Sequence, residues 1–202
     1  FTVCFLFAAL VQGQTVFGHQ QLINTIADKA TSVYVADLDN DGDIDLLSSS
    51  KDDDIIAWYE NDGIGNFGTQ QIISISADGA MSVYAADLDG DGDLDVLSAS
   101  SGDDKIAWYE NDGIGNFGTQ QIISISADGA MSVYVADLDG DGDIDVLSAS
   151  RNDNKIAWYE NDGGGNFGAQ QIITTAANGA RCVYTADLDG DGDLDVLSAS
   201  SG

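Results

Sequence analysis

A fifty-residue period governs this sequence. Phe17-Gly18, Phe67-Gly68, Phe117-Gly118 and Phe167-Gly168 recur at that step, as do Trp58-Tyr59, Trp108-Tyr109 and Trp158-Tyr159. From Phe67 to Ser100 the chain differs from its copy fifty residues on at two positions, Ala85/Val135 and Leu94/Ile144. Such a chain is an array of one small unit, which buries its apolar surface only against its neighbours.

Four short strands fit one period. "SVYAADLD" (82–89) is β-branched and aromatic, and "DLDVLSAS" (93–100) follows it. "KIAWYEN" (105–111) and "TQQIISIS" (119–126) come next, joined by the glycine-rich hairpin signal "NDGIGNFG". No apolar stripe at helical spacing persists, so helix is disfavoured. Apolar residues occupy both faces of each strand, as in Val96 and Leu97 or Ile106 and Ala107. Sheets covered on both faces read this way. The predicted fold is all-β, a β-propeller of four-stranded antiparallel blades, with a parallel β-solenoid as the alternative. The units run 17–66, 67–116, 117–166 and, in part, 167–202, an incomplete ring. "HQQLINTI" (19–26) is a fourth-strand copy without its own blade, and is expected to complete the last blade of a ring. Trp58, Trp108 and Trp158, at mid-strand, are expected in the core between blades.

An acidic loop joins the first two strands of every unit. It brings together Asp37, Asp39, Asp41, Asp43 and Asp45; then Asp87, Asp89, Asp91, Asp93 and Asp95; then Asp137, Asp139, Asp141, Asp143 and Asp145; then Asp187, Asp189, Asp191, Asp193 and Asp195. Within each loop, carboxylates stand at positions 1, 3, 5, 7 and 9 and a glycine at position 6. Hard divalent cations want six to eight oxygens, which alternating carboxylates on a tight turn supply, together with the backbone carbonyl at position 7. An EF-hand shares the first half of this pattern but needs a Glu at position 12 between helices; here that place is Ser148, between strands. The loops contain no His or Cys, which disfavours transition metals. Calcium, about one ion per loop and four in all, is the expected cofactor. Magnesium and a metal-free acidic turn are the alternatives.

Composition narrows the partners. The chain carries 35 Asp and Glu against six Lys and Arg, a formal charge of −29, so nucleic acid and anionic membrane surfaces are excluded as expected partners. A 44% hydrophobic content argues against a disordered acidic tail. Two cysteines give no disulfide framework. Residues 1–13 hold an apolar run of leader length, too short to span a bilayer, and read as the remnant of a signal peptide cleaved after Gly13 or as a buried first strand. On the leader reading the protein is secreted or at the cell surface, and residues before about Gln14 make no blade contacts. His19, the sole histidine, aligns with Thr69, Thr119 and Ala169, and Cys182 aligns with Ser32, Ser82 and Ser132. Neither forms a nucleophile–base pair, so no enzyme activity is expected.

The Phe-Gly pairs together with "DLDGDGDLD" (87–95) resemble the FG-GAP/VCBS repeats of integrin α-subunit propellers and of secreted bacterial proteins. The resemblance covers Phe17 to the C-terminus. It implies Ca²⁺ in the hairpin between the first and second strands of a blade, and a seven-bladed ring in many members. It also implies adhesion to an extracellular protein or glycan. The alternatives are a non-catalytic scaffold attached to a secreted enzyme, or a carbohydrate-active propeller. The loops between second and third strands ("KDDD", "SGDD", "RNDN") differ most between units and lie opposite the acidic loops, so recognition is expected there.

Overall fold

The computed structural model describes residues 3–5, 8–11, 14–17 and 20–202, and these contain strands and turns but no helix. Three four-stranded antiparallel sheets follow one another. The first is β5 (Ala30–Ala36), β6 (Asp45–Ser50), β7 (Ile55–Tyr59) and β8 (Gln71–Ser74). The second is β9 (Ala80–Ala86), β10 (Asp95–Ser100), β11 (Lys105–Tyr109) and β12 (Gln121–Ser124). The third is β13 (Ala130–Ala136), β14 (Asp145–Ser150), β15 (Lys155–Tyr159) and β16 (Gln171–Thr174), and β17 (Ala180–Ala186) with β18 (Asp195–Ser200) forms a two-stranded unit. These are propeller blades in an open, incomplete arrangement. Each first strand ends at Ala86 or its equivalent and each second begins at Asp95 or its equivalent, because the residues between them fold back as a loop.

Within a blade the second strand is the keel. Leu97 faces Tyr84 on one side and Trp108 on the other. Alternate residues point to opposite faces, so each strand supplies apolar side chains to two interfaces. Leu47, Ile56 and Trp58 of the first blade pack with Ala80, Val83, Val96 and Tyr109 of the second. Leu97, Ile106 and Trp108 repeat the arrangement with Val133, Val146 and Tyr159 of the third. The core therefore lies between blades, which is why a single unit has no closed core of its own. Trp58 and Trp108 are 3% and 4% exposed, as the sequence predicts. A ladder of tyrosines joins the first strands, Tyr34 to Tyr84 to Tyr134 to Tyr184, with ring centroids 4.3, 5.4 and 4.5 Å apart.

The N-terminal segment differs from expectation. β1 (Val3–Phe5) pairs with β4 (Gln21–Asn24), and β2 (Ala8–Val11) pairs with β3 (Gln14–Phe17). Residues ahead of Gln14 thus do join a sheet, and the fourth-strand copy pairs with β1, not with the last blade. A lone strand leaves a row of unpaired backbone groups, and an extended apolar segment nearby satisfies them. β4 also lies against the first blade: Ile23 packs on Leu46 and Tyr59, and Asn24 Nδ2 donates to Tyr59 Oη at 2.6 Å. Gly13 and His19, and with them the readings of a cleavage point and of a surface substitution, lie outside the described residues.

Candidate metal centre

Each acidic loop hangs between the first and second strands of a blade, and its carboxylates hold its own backbone. Gly92 N–H donates to Asp87 Oδ2 at 3.1 Å, Asp91 N–H to Asp89 Oδ1 at 3.2 Å, and Asp93 N–H to Asp91 Oδ1 at 2.9 Å. The third and fourth loops repeat these three bonds. At position 6 the chain needs φ near +100°, as at Gly92 (+99°) and Gly142 (+100°), where a side chain would be strained.

Position 9 anchors the loop to the blade. Asp95, fully buried, accepts from Leu88 N–H at 2.9 Å and from Asn111 N–H at 2.9 Å, tying loop, second strand and third strand together. Asp45 and Asp145 do the same with Leu38 and Asn61, and with Leu138 and Asn161. Burial pushes the Asp95 carboxyl up to about 7 and that of Asp45 up to about 6, against the two backbone bonds that lower each. Burial raises Asp145 as well, and it raises Asp39 and Asp89, with Asp41 and Asp91 adding like charge to the latter two.

The structure sorts the sequence-predicted residues. Asp87, Asp89 and Asp95 bring one oxygen each within 4.8 Å of one another, and so do Asp137, Asp139 and Asp145, and Asp187, Asp189 and Asp195. In the first loop the converging set is Asp37, Asp39 and Asp41. Asp45 of that loop, and Asp91, Asp141 and Asp191 of the others, stand outside these groups. The carboxylates of Asp43, Asp93 and Asp143 turn instead towards the next hairpin, against Gly63, Gly113 and Gly163. Asp193, at the same loop position in the two-stranded unit, is exposed.

Two oxygens bound to one calcium lie at most ~4.8 Å apart, twice a typical bond of about 2.4 Å. The observed groups fit one hard cation each. Their donors are all oxygen; burial first, and then the like charge of Asp41 or Asp91, raises Asp39 and Asp89, and that like-charge repulsion is what a cation would relieve. The first loop adds an open acceptor. Its position 4 is Asn40 where the other loops have glycine, so the bond made by Gly90 N–H to Asp87 Oδ1 has no equivalent, and buried Asp37 Oδ1 has no partner. Asn40 Nδ2 instead reaches Asp93 Oδ1 of the next blade at 2.7 Å.

Sequence reading missed one supporting residue. Asn111 Nδ2 donates to Leu94 O and, across the blade interface, to Leu38 O at 2.7 Å; Asn161 does the same with Ile144 and Leu88. Both amides are buried. They fasten the acidic loop of one blade to the third strand of the next. The signal was present, since Asn61, Asn111 and Asn161 keep one place in the period.

Three overlapping stretches, 37–98, 87–148 and 137–198, match the model of the FG-GAP-like repeat. The chain belongs to the FG-GAP-like repeat family. Each match begins at position 1 of an acidic loop and runs through the following loop into its second strand, so each spans two acidic hairpins with a Phe-Gly pair midway. No curated protein matches the chain. Among solved structures, a lectin of Agrocybe aegerita, described for its specific recognition of non-reducing terminal N-acetylglucosamine, is similar with a TM-score of 0.64 and 23% identity over 94% of this chain and 54% of the lectin. The V. cholerae biofilm matrix protein Bap1 is similar with a TM-score of 0.48 and 22% identity over 87% of this chain and 28% of Bap1. This FG-GAP-like chain thus spans about half the length of the lectin.

Proposed function

We propose that the chain is an extracellular, non-catalytic calcium-binding module that adheres to a glycan. The recurrence of one all-oxygen Asp group in all four loops carries the reading. A catalytic centre needs one asymmetric constellation, whereas these carboxylates return in near-identical units, which suits a structural ion. Calcium is favoured over magnesium because a flexible, carboxylate-rich loop suits its larger and less regular shell. The ion would be held by positions 1, 3 and 9 in three loops and by Asp37, Asp39 and Asp41 in the first. It would offset their mutual repulsion and so stiffen each hairpin. A glycan is favoured over a protein partner because the Agrocybe aegerita lectin, described for its recognition of non-reducing terminal N-acetylglucosamine, shares this fold.

Two measurements test the two halves. Thermal melts are run in excess Ca²⁺, excess Mg²⁺ and excess EGTA, and Ca²⁺ is expected to raise the midpoint most. A midpoint indifferent to chelator would leave the loops as acidic turns. A glycan array probed with the Ca²⁺-loaded protein is expected to show binding to a restricted set of sugars. Silence across the array would overturn the glycan reading while leaving the calcium result standing.

A further inference from the structure

Cations are scarce in this chain, and their distribution is uneven. Of its six Lys and Arg, Lys29, Lys105 and Lys155 pair with Asp52, Asp103 and Asp153. The other three, Lys51, Arg151 and Arg181, make no side-chain hydrogen bond or ion pair among the described residues, although the chain holds 35 carboxylates. All three line one cleft of about 260 Å³, with Ser101 and the chain's two methionines, Met81 and Met131. The cleft lies at the turns between second and third strands, away from the acidic loops.

Its frame is constant and its side chains are not. Ser101 N–H donates to Gly79 O at 3.0 Å, and Arg151 N–H to Gly129 O at 3.0 Å. Gly79 N–H in turn donates to Asp54 Oδ1, and Gly129 N–H to Asp104 Oδ1, at 2.8 Å each. Each turn is thereby fixed to the connection that enters the next blade. On this repeated backbone one position reads Lys51, Ser101, Arg151, and another reads Thr31, Met81, Met131, Arg181. Units that otherwise copy one another thus diverge where the cleft is lined.

We propose that this cleft binds a single anionic sugar residue, its carboxylate or sulfate held by Lys51, Arg151 and Arg181, and that Met81 and Met131 pack on the sugar ring. The proposal rests on the glycan reading above and names the class of sugar. Guanidinium groups match the planar or trigonal oxygens of such anions, and methionine adapts to a shallow apolar face. A cleft of this size is smaller than the roughly 300–1,000 Å³ of drug-sized pockets, which suits about one sugar. A long polyanion is disfavoured, because a surface at −29 repels it everywhere except within the cleft.

The test titrates Ca²⁺-loaded protein, by calorimetry or by NMR, with four probes. Glucuronic acid and 6-sulfo-N-acetylglucosamine are set against glucose and N-acetylglucosamine. At least one acidic sugar is expected to bind about tenfold tighter than its neutral counterpart, as one charge-assisted contact provides. Which one it is distinguishes carboxylate from sulfate. Arg151→Gln and Arg181→Gln, both at exposed side chains, are each expected to remove most of that preference and leave the melting midpoint unchanged. Neutral sugars binding as well as acidic ones, or an unaltered preference in the Arg151→Gln/Arg181→Gln double variant, would overturn this cleft but not the glycan reading. Acidic sugars failing to bind while the array shows neutral binders has the same meaning. No binding of any sugar in either experiment removes both.

Discussion

Asp95–Ser100 and Asp195–Ser200 have the same sequence, DVLSAS, and different surroundings. In β10 all six residues are buried, and in β14, with the same string, they are buried again. In β18 none is. β10 lies between β9 and β11 and under the third blade, whereas β18 pairs only with β17. The carboxylate at position 9 follows its strand. Asp95 is sealed between two backbone donors, while Asp195 keeps the bond from Leu188 N–H and is only half-buried. The loop's sequence therefore supplies the carboxylates, and the third strand and next blade supply the dryness.

The largest consequence concerns the tryptophans. The Trp58 indole is roofed by the next blade so closely that a Cβ on Gly115 would come within 2.4 Å of it, and Phe117 meets it edge-on at 6.3 Å. Gly165 and Phe167 cover Trp108 in the same way. Trp158 is only partly buried, and among the described residues no such hairpin covers it. Trp58→Ala and Trp108→Ala are each expected to cost about 3–5 kcal/mol, the range for deleting a buried aromatic. Trp158→Ala should cost clearly less. Urea unfolding of the three variants checks the ranking, and equal losses would mean that blade neighbours contribute little.

A smaller effect separates the two position-9 carboxylates. Asp95→Ala strands the N–H groups of Leu88 and Asn111 in a buried site, at about 1–3 kcal/mol for each unsatisfied donor, partly offset by removing a desolvated charge. Asp195→Ala strands one exposed donor, which water satisfies, and is expected to fall within about 0.5 kcal/mol. Both variants should lose one calcium of four by titration while the others remain, because units of this kind touch only their neighbours. Equal destabilisation with equal ion loss would show that position 9 acts through the metal alone and not through burial.

These contrasts mark what the sequence could reveal. The period, the four strands and the core tryptophans of the first two interfaces were legible, because each depends on a pattern that repeats. The alternating carboxylates at positions 1, 3, 5, 7 and 9 were legible as a group. Their division was not, since only the fold turns Asp93 towards the hairpin at Gly113 and buries Asp95. The exposure of Trp158 could not be read from a string shared with Trp108. It depends on what lies beyond the strand. The first strand stood only as the alternative to a leader, and its partner β4 was not foreseen, for a related reason: an apolar run of leader length is also a strand that an open edge can take up.

The smallest predicted effect is the most diagnostic, because its sign reverses with the metal. An unfolded Asp titrates near ~3.9, whereas Asp45 is pushed up to about 6 and Asp95 to about 7 in the fold. Between those values the folded chain binds more protons than the unfolded one. For a raised carboxylate, metal-free stability must therefore increase as pH falls through the folded pKa, and the gain is complete below the unfolded one. Asp62, Asp112 and Asp162, each held below its usual range first by Asn66, Asn116 or Asn166, act with the opposite sign but only at still lower pH. Calcium bound as proposed would invert the trend, because protons would compete with it for the same oxygens. In EGTA, lowering the pH from about 8 to about 5 should raise the melting midpoint by about 2–4 °C, the response to roughly 1 kcal/mol in a domain of this size. In excess Ca²⁺ the midpoint should fall over the same interval, so the two curves converge. Asp95→Asn, which keeps the shape and removes one titration, should make the EGTA curve shallower, with Asp45 and Asp145 still contributing. If both curves fell in parallel, the buried carboxylates would not govern the pH response, and the protection that distinguishes Asp95 from Asp195 would be of no energetic consequence.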